Sequence, residues 1–78
     1  MLYNMDGWTA NIGEEQRLTS REMEVAQLVS QGLANKTVAG HLGLREGTVK
    51  IHLHNIYRKL RVPNRTGLIL SLIAKHAE

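Results

Sequence analysis

Four histidines are the side chains of this 78-residue chain that could hold a metal or exchange protons near neutral pH, and cysteine is absent. His52 and His54 lie closest in sequence, but residues two positions apart on a helix point about 160° apart. They therefore cannot chelate one metal ion together. Because the chain also lacks a carboxylate pair and a glycine-rich phosphate loop, we expect no enzymatic activity, no metal site and no cofactor.

The basic residues are a second group that could take part in binding, and they are unevenly distributed along the chain. Residues 1–34 contain two basic and five acidic residues, whereas residues 35–66 contain seven basic residues and one acid. Concentrated positive charge binds polyanions, because neutralising phosphates releases their counterions. The segment is typical of nucleic-acid binding, although a charged membrane surface would satisfy the same count.

Chain length and apolar run lengths restrict the class of protein. Seventy-eight residues form one domain with a core too small to enclose a substrate-sized cavity. The apolar runs are far shorter than a membrane span, and the N-terminus lacks the layout of a secretory signal. We therefore expect a cytoplasmic protein without a membrane partner.

Apolar periodicity and helix-end residues predict an all-α domain of four helices. The predicted helices cover about residues 20–31, 35–42, 46–60 and 65–76, within a domain spanning 18–78 that follows a linker or tail at 1–17. Thr19 and Glu22 form a T-x-x-E capping box at the first helix, which Gly32 should end. Asn35 is the predicted cap of the second helix and Gly43 its stop.

The third predicted helix has two distinct faces. With Val49 at zero on a helical wheel, Leu53, Ile56 and Leu60 all fall within about 40° and form a core stripe. The opposite face is made of Lys50, Ile51, His54, Asn55 and Arg58. Ile51 is unusual there, because solvation alone would favour a polar residue.

The polar face of the third helix suits a DNA major groove. Lysine donates to guanine acceptors, and an aliphatic group can touch a thymine methyl. The very tight connection through Leu44 and Arg45 gives the helix-turn-helix pattern, whose second helix reads DNA with its N-terminal residues. The alternative for this face is an ordinary solvated surface with one exposed isoleucine.

Residues 18–66 resemble the LuxR/GerE-type domain that is also found at the C-terminus of NarL/FixJ-type response regulators. The motifs LTSRE, QGLANK, GTVKIH, IYRKL and NRT occur in the family's order and spacing. The resemblance implies a four-helix helix-turn-helix domain that binds double-stranded DNA, usually as a dimer, and regulates transcription. It also implies that a receiver or ligand-binding domain precedes residue 1 in the full-length protein, with a short stand-alone regulator as the alternative.

The resemblance assigns two roles to residues near the third helix. Contacts with the edges of DNA bases are implied for Lys50, Ile51 and His54. DNA-backbone contacts are implied for Lys36, Thr48, His52, Arg58, Lys59 and Arg65. Thr37, Arg45 and Gly67 depart from the family pattern; Arg45 stands where a serine commonly caps the helix, and Gly67 where glutamate often completes a cap.

The fourth predicted helix follows Pro63, which separates it from the third, and starts with Asn64 as its cap. Its apolar residues spread over about 240° of the wheel, which is wider than one core stripe requires. We expect a two-fold dimer contact through Leu70, Ile73, Ala74 and Ala77. Burial of this surface by the N-terminal tail is the alternative.

Two other functions remain open from the sequence. One is a helical module whose basic segment binds an acidic partner protein. The other is a helix-turn-helix like those of sigma factors, contacting RNA polymerase or other transcription machinery. Salt-dependent binding to random duplex would separate DNA readers from a protein-only module.

Overall fold

The computed structural model describes residues 17–76, with backbone alone for the last two of them. This range holds four helices and no strand: α1 (Ser20–Ser30), α2 (Asn35–Leu42), α3 (Glu46–Leu60) and α4 (Arg65–His76). The all-α, four-helix prediction is confirmed, and the bounds agree except that α1 ends one residue early. Residues 1–16 of the predicted tail and Ala77 of the predicted dimer face lie outside the described residues.

The capping box at the start of α1 is confirmed. The backbone N–H of Glu22 donates to Thr19 Oγ1 at 3.1 Å, and the backbone N–H of Thr19 donates to Glu22 Oε1 at 2.9 Å. At the other end Gly32 has a positive φ of 90°, which a residue without Cβ adopts freely. This turn ends α1 at Ser30.

The start of α2 differs from the prediction. Ala34, not Asn35, is the N-cap, and no side chain caps the helix. The Asn35 side chain is used elsewhere, since its Oδ1 accepts a hydrogen bond from Arg65. The predicted stop is confirmed, because Gly43 is left-handed, with a φ of 68°.

Arg61 and Asn64, on either side of Pro63, determine where α3 ends and α4 begins. Arg61 adopts the left-handed conformation with a φ of 58°, so α3 ends at Leu60. Asn64 caps α4 as predicted, its Oδ1 accepting from the backbone N–H of Gly67 at 2.9 Å. A Cβ on Gly67 would lie 2.9 Å from Pro63 Cδ, so the proline ring occupies the space that a side chain would need.

The core is aliphatic and is centred on α1 and α3, each of which contacts all three other helices. The buried hydrophobic residues are Leu18, Val25, Ala26, Val29, Val38, Ala39, Val49, Leu53, Ile56, Leu68 and Leu72. The predicted stripe of α3 is therefore confirmed at three of four positions, with Leu60 half-buried. Burial of the stripe fixes which face of α3 points to solvent.

Candidate nucleic-acid interface

A three-residue turn joins α2 to α3. Gly43 reverses the chain, and the backbone N–H of Leu44 donates to Ala39 O at 2.9 Å, which closes the C-terminus of α2. Arg45 is the exposed N-cap of α3 and makes no side-chain capping bond. Since α2 and α3 pack against each other, this turn produces the predicted helix-turn-helix.

The outer face of α3 displays the three residues predicted to read bases. Lys50, Ile51 and His54 are all exposed, and the Ile51 side chain is 63% accessible. They lie in the second and third turns of the helix, whose opposite side is anchored by the buried Val49 and Leu53. The structure thus brings an ammonium, an aliphatic group and an imidazole onto one solvent-facing surface.

The predicted DNA-backbone residues fall into two groups. Lys36, in the first turn of α2, and Arg58, near the end of α3, are exposed. Arg58 Nη2 makes a long hydrogen bond of 3.4 Å to Asn55 Oδ1. Thr48 and His52 are half-buried on α3. Thr48, His52 and Arg58 lie on the same helix as Lys50, Ile51 and His54, whereas Lys36 lies on α2.

Lys59 is bonded within the domain. Its Nζ donates to Glu22 Oε1 at 2.7 Å and to Arg17 O at 3.3 Å, and its side chain is only 14% exposed. Burial of Glu22 would raise the pKa of its carboxyl, but the hydrogen bonds from Lys59 and Thr19 hold that pKa below its ordinary 4.5. The pair connects the last turn of α3 to the first turn of α1.

Arg65 is also bonded within the domain. Its Nη1 donates to Asn35 Oδ1 at 2.7 Å, and its Nη2 donates to Leu33 O. Burial raises the pKa of the neighbouring Tyr57, and the Arg65 charge opposes that rise. The predicted phosphate contacts of Lys59 and Arg65 stay predictions, but both side chains already have partners in the fold.

The tertiary partners of Glu22 and Asn35 were not predicted: Glu22 pairs with Lys59, and Asn35 accepts a hydrogen bond from Arg65. Glu22 shares a helical stripe with the buried Val25, Ala26 and Val29, so a carboxylate among core positions was an available signal. No comparable signal marks Asn35, because its partner lies 30 residues along the chain.

The predicted dimer face on α4 is exposed where the structure describes it. Leu70 and Ile73 are 60% and 58% accessible, and Ala74 is exposed, whereas Leu68 and Leu72 on the other side are buried. Two large aliphatic side chains therefore face solvent on the helix that follows the helix-turn-helix. Within residues 17–76, no helix is long and apolar enough to cross a membrane.

Comparison with known proteins identifies the family. The profile described as "GerE: Bacterial regulatory proteins, luxR family" matches residues 16–72, which is more than half of the chain. The chain belongs to the LuxR family. The family is one of DNA-binding regulators of transcription, and this agrees with the helix-turn-helix and with the exposed face of α3.

Relatives of this LuxR-family chain include two-component regulators. It is 48% identical over 50 residues to the nitrate/nitrite response regulator protein NarP of Escherichia coli, a match covering 64% of this chain and 23% of NarP. It is 43% identical over 56 residues to the two-component response regulator PprB of Pseudomonas aeruginosa, covering 72% of this chain and 20% of PprB. A match to the monoamine regulon transcriptional regulator of Klebsiella aerogenes has 44% identity over 52 residues, covering 67% and 23% respectively. The chain thus spans less than a third of the length of these relatives.

Proposed function

We propose that this LuxR-family domain binds double-stranded DNA in a sequence-specific manner, as the output domain of a bacterial transcription regulator. The observation that carries the proposal is the position of Ile51, 63% exposed between exposed polar residues on the face of α3 opposite its buried stripe. An aliphatic residue there gains no solvation, but it can contact a thymine methyl in the major groove.

In the proposed complex α3 lies in the major groove. Lys50 donates to guanine acceptors, Ile51 contacts a methyl group, and His54 bonds a base edge one turn later. Base edges distinguish sequences, so these three residues determine which duplex is preferred.

Phosphate contacts from Lys36, Thr48, His52 and Arg58 orient the domain on the duplex in this proposal. The exposed cations of the basic segment support it: Lys36, Arg45, Lys50, Arg58 and Arg61. Lys36 lies in the first turn of α2, where no side chain caps the first backbone amides, and such amides favour binding of a phosphate.

We further propose that two copies pair through α4 on adjacent half-sites. The exposure of Leu70 and Ile73 supports this pairing, because a two-fold contact would bury the same apolar surface on both copies. Two recognition helices would then read half-sites about one DNA turn apart. The same proposal includes a receiver domain N-terminal to this segment, as the response-regulator relatives suggest. It also includes a contact with RNA polymerase and action in the cytoplasm.

Selection of bound sequences from a random duplex library tests the proposal directly. We expect recovery of a short inverted or direct repeat, here termed the selected duplex, and tighter binding to it than to random duplex. Lys36→Ala should weaken both duplexes alike and reduce the slope of log affinity against log salt by about one. Recovery of no sequence, with no salt-dependent duplex binding, would favour the protein-interaction module instead.

A further inference from the structure

Arg65, the first residue of α4, donates hydrogen bonds to the segment at which α2 begins, residues 33–35. Its two terminal nitrogens bond Asn35 Oδ1 and Leu33 O, and these acceptors lie on either side of the N-cap Ala34. The two bonds span 30 and 32 residues of sequence. One guanidinium thus fixes two points of the same turn.

The segment of residues 33–35 has few other polar contacts. Ala34 offers no side-chain cap, and the backbone N–H of Leu33 makes a long bond of 3.5 Å to Leu28 O. Gly32, just before it, is left-handed and has no side chain with which to pack. Val38 and Ala39 hold α2 in the core, and Arg65 supplies the side-chain hydrogen bonds to the residues at which α2 begins.

The first turn of α2 belongs to the proposed DNA surface. Lys36 follows Asn35 directly and is exposed, and α2 leads through Gly43 into α3. A change in the angle at which α2 starts would move Lys36 and the turn before the recognition helix. Misplacement of a contact group by about 1 Å is enough to lose a well-oriented interaction.

We propose that Arg65 is a positioning residue for DNA binding, which acts through Asn35 and Leu33 instead of touching a phosphate. The inference rests on the proposed function. It replaces the phosphate contact that the family resemblance implies for Arg65, and it assigns to Asn35 a part in DNA affinity although its side-chain oxygen is turned to the protein.

Two variants separate positioning from phosphate contact. Arg65→Lys keeps the positive charge, which serves a phosphate well, but it loses the planar fork that reaches two acceptors. Asn35→Ala keeps Arg65 intact and removes one acceptor, and alanine favours the helix more than asparagine does. Asn35→Ala should therefore stay folded even where Arg65→Lys does not, and circular dichroism checks both.

Affinity for the selected duplex and its salt slope are measured for both variants and for the double variant. We expect each single variant to lose on the order of tenfold in affinity, with the salt slope unchanged. The double variant should be no weaker than Arg65→Lys alone, because Arg65→Lys already breaks the contact that Asn35→Ala removes. Lys36→Ala is the matched control, whose salt slope should fall by about one.

Three results would overturn the inference: Asn35→Ala binding with wild-type affinity, Arg65→Lys binding with wild-type affinity, or additive losses in the double variant. Failure of the proposed function looks different. In that case the wild-type chain itself does not distinguish the selected duplex from random duplex, and the positioning role in DNA binding falls with it.

Discussion

Lys59 Nζ lies 2.7 Å from Glu22 Oε1, so a cation near the end of α3 is neutralised by the capping carboxylate of α1. The same carboxylate accepts the backbone N–H of Thr19. Glu22 therefore caps the start of α1 and also pairs with Lys59 of α3. Consequently the basic segment exposes fewer cations than its composition indicates.

The buried pair predicts a specific pH dependence of stability. Because the pKa of Glu22 is lowered in the folded domain, its contribution to the free energy of unfolding is present above its ordinary 4.5 and is lost as the pH falls through the lowered value. Thermal unfolding from about pH 7 to pH 3 measures it. Glu22→Gln should be less stable at neutral pH and should lose less stability on acidification; parallel curves for the two proteins would contradict the prediction.

Base reading predicts loss of preference at α3. Lys50→Ala or His54→Ala should cost about 1–3 kcal/mol on the selected duplex and much less on random duplex, because the lost hydrogen bonds are to base edges. Competition binding measures the difference. Arg21→Ala, which removes an exposed cation of α1, is the control and should leave the preference intact. Full discrimination by the Lys50 or His54 variant would remove that residue from the base-reading set.

The uncapped start of α3 predicts a trade between stability and DNA affinity. Arg45→Ser supplies the missing side-chain acceptor at the N-cap and should stabilise the domain by about 1 kcal/mol. It also removes an exposed cation beside the proposed major-groove surface, so DNA affinity should fall at low salt. Calorimetry and binding at two salt concentrations check both effects. A variant no more stable than wild type that binds DNA equally well would disprove the trade.

The contact between Gly67 and Pro63 predicts an unusual response to alanine. Gly67→Ala should destabilise by about 1–3 kcal/mol through overpacking, although alanine favours a helix by about 1 kcal/mol. In a Pro63→Ala background most of that loss should disappear. Gly40→Ala, on α2 with nothing within 4 Å of its added Cβ, is the matched control and should stabilise. Equal effects of Gly67→Ala in both backgrounds would show that the ring is not the obstacle.

The exposed aliphatic face of α4 predicts cooperative binding. Ile73→Glu should weaken binding to the paired half-sites by about 2 kcal/mol, because a buried charge at a two-fold contact is repelled by its own copy. Binding to a duplex with one half-site should be unchanged, which serves as the control. Band-shift titration on the two duplexes checks this. Equal loss on both would indicate damage to the domain and not to pairing.

The helix bounds and the α3 core stripe were predictable because both depend on local signals. Capping boxes, left-handed glycines and apolar spacing act over a few residues, and Thr19, Gly43 and Val49 behaved as their local context indicates. Lys59 and Arg65 were harder to place. Their partners lie 37 and 30 residues away, so nothing in their own neighbourhood separates a bonded cation from an exposed one.

The predicted cap at Asn35 fails for the same reason. An asparagine at a helix start normally accepts from the backbone, but here the guanidinium of Arg65 takes its oxygen. The predicted end of α3 at residue 60 is correct, but the positive φ of Arg61 that ends it is uncommon for a residue other than glycine and was not predicted. At Asn35 a contact formed only in the assembled fold outweighed a local preference.

The close approach of the Pro63 ring to Gly67 also constrains the order in which these two positions could change during evolution. With any side chain at position 67, proline at 63 would meet an atom at 2.9 Å. A proline at 63 is therefore tolerated best when position 67 has no side chain. The constraint is one-sided: replacing the proline leaves Gly67 without a clash, whereas a side chain at 67 is obstructed for as long as the proline is present.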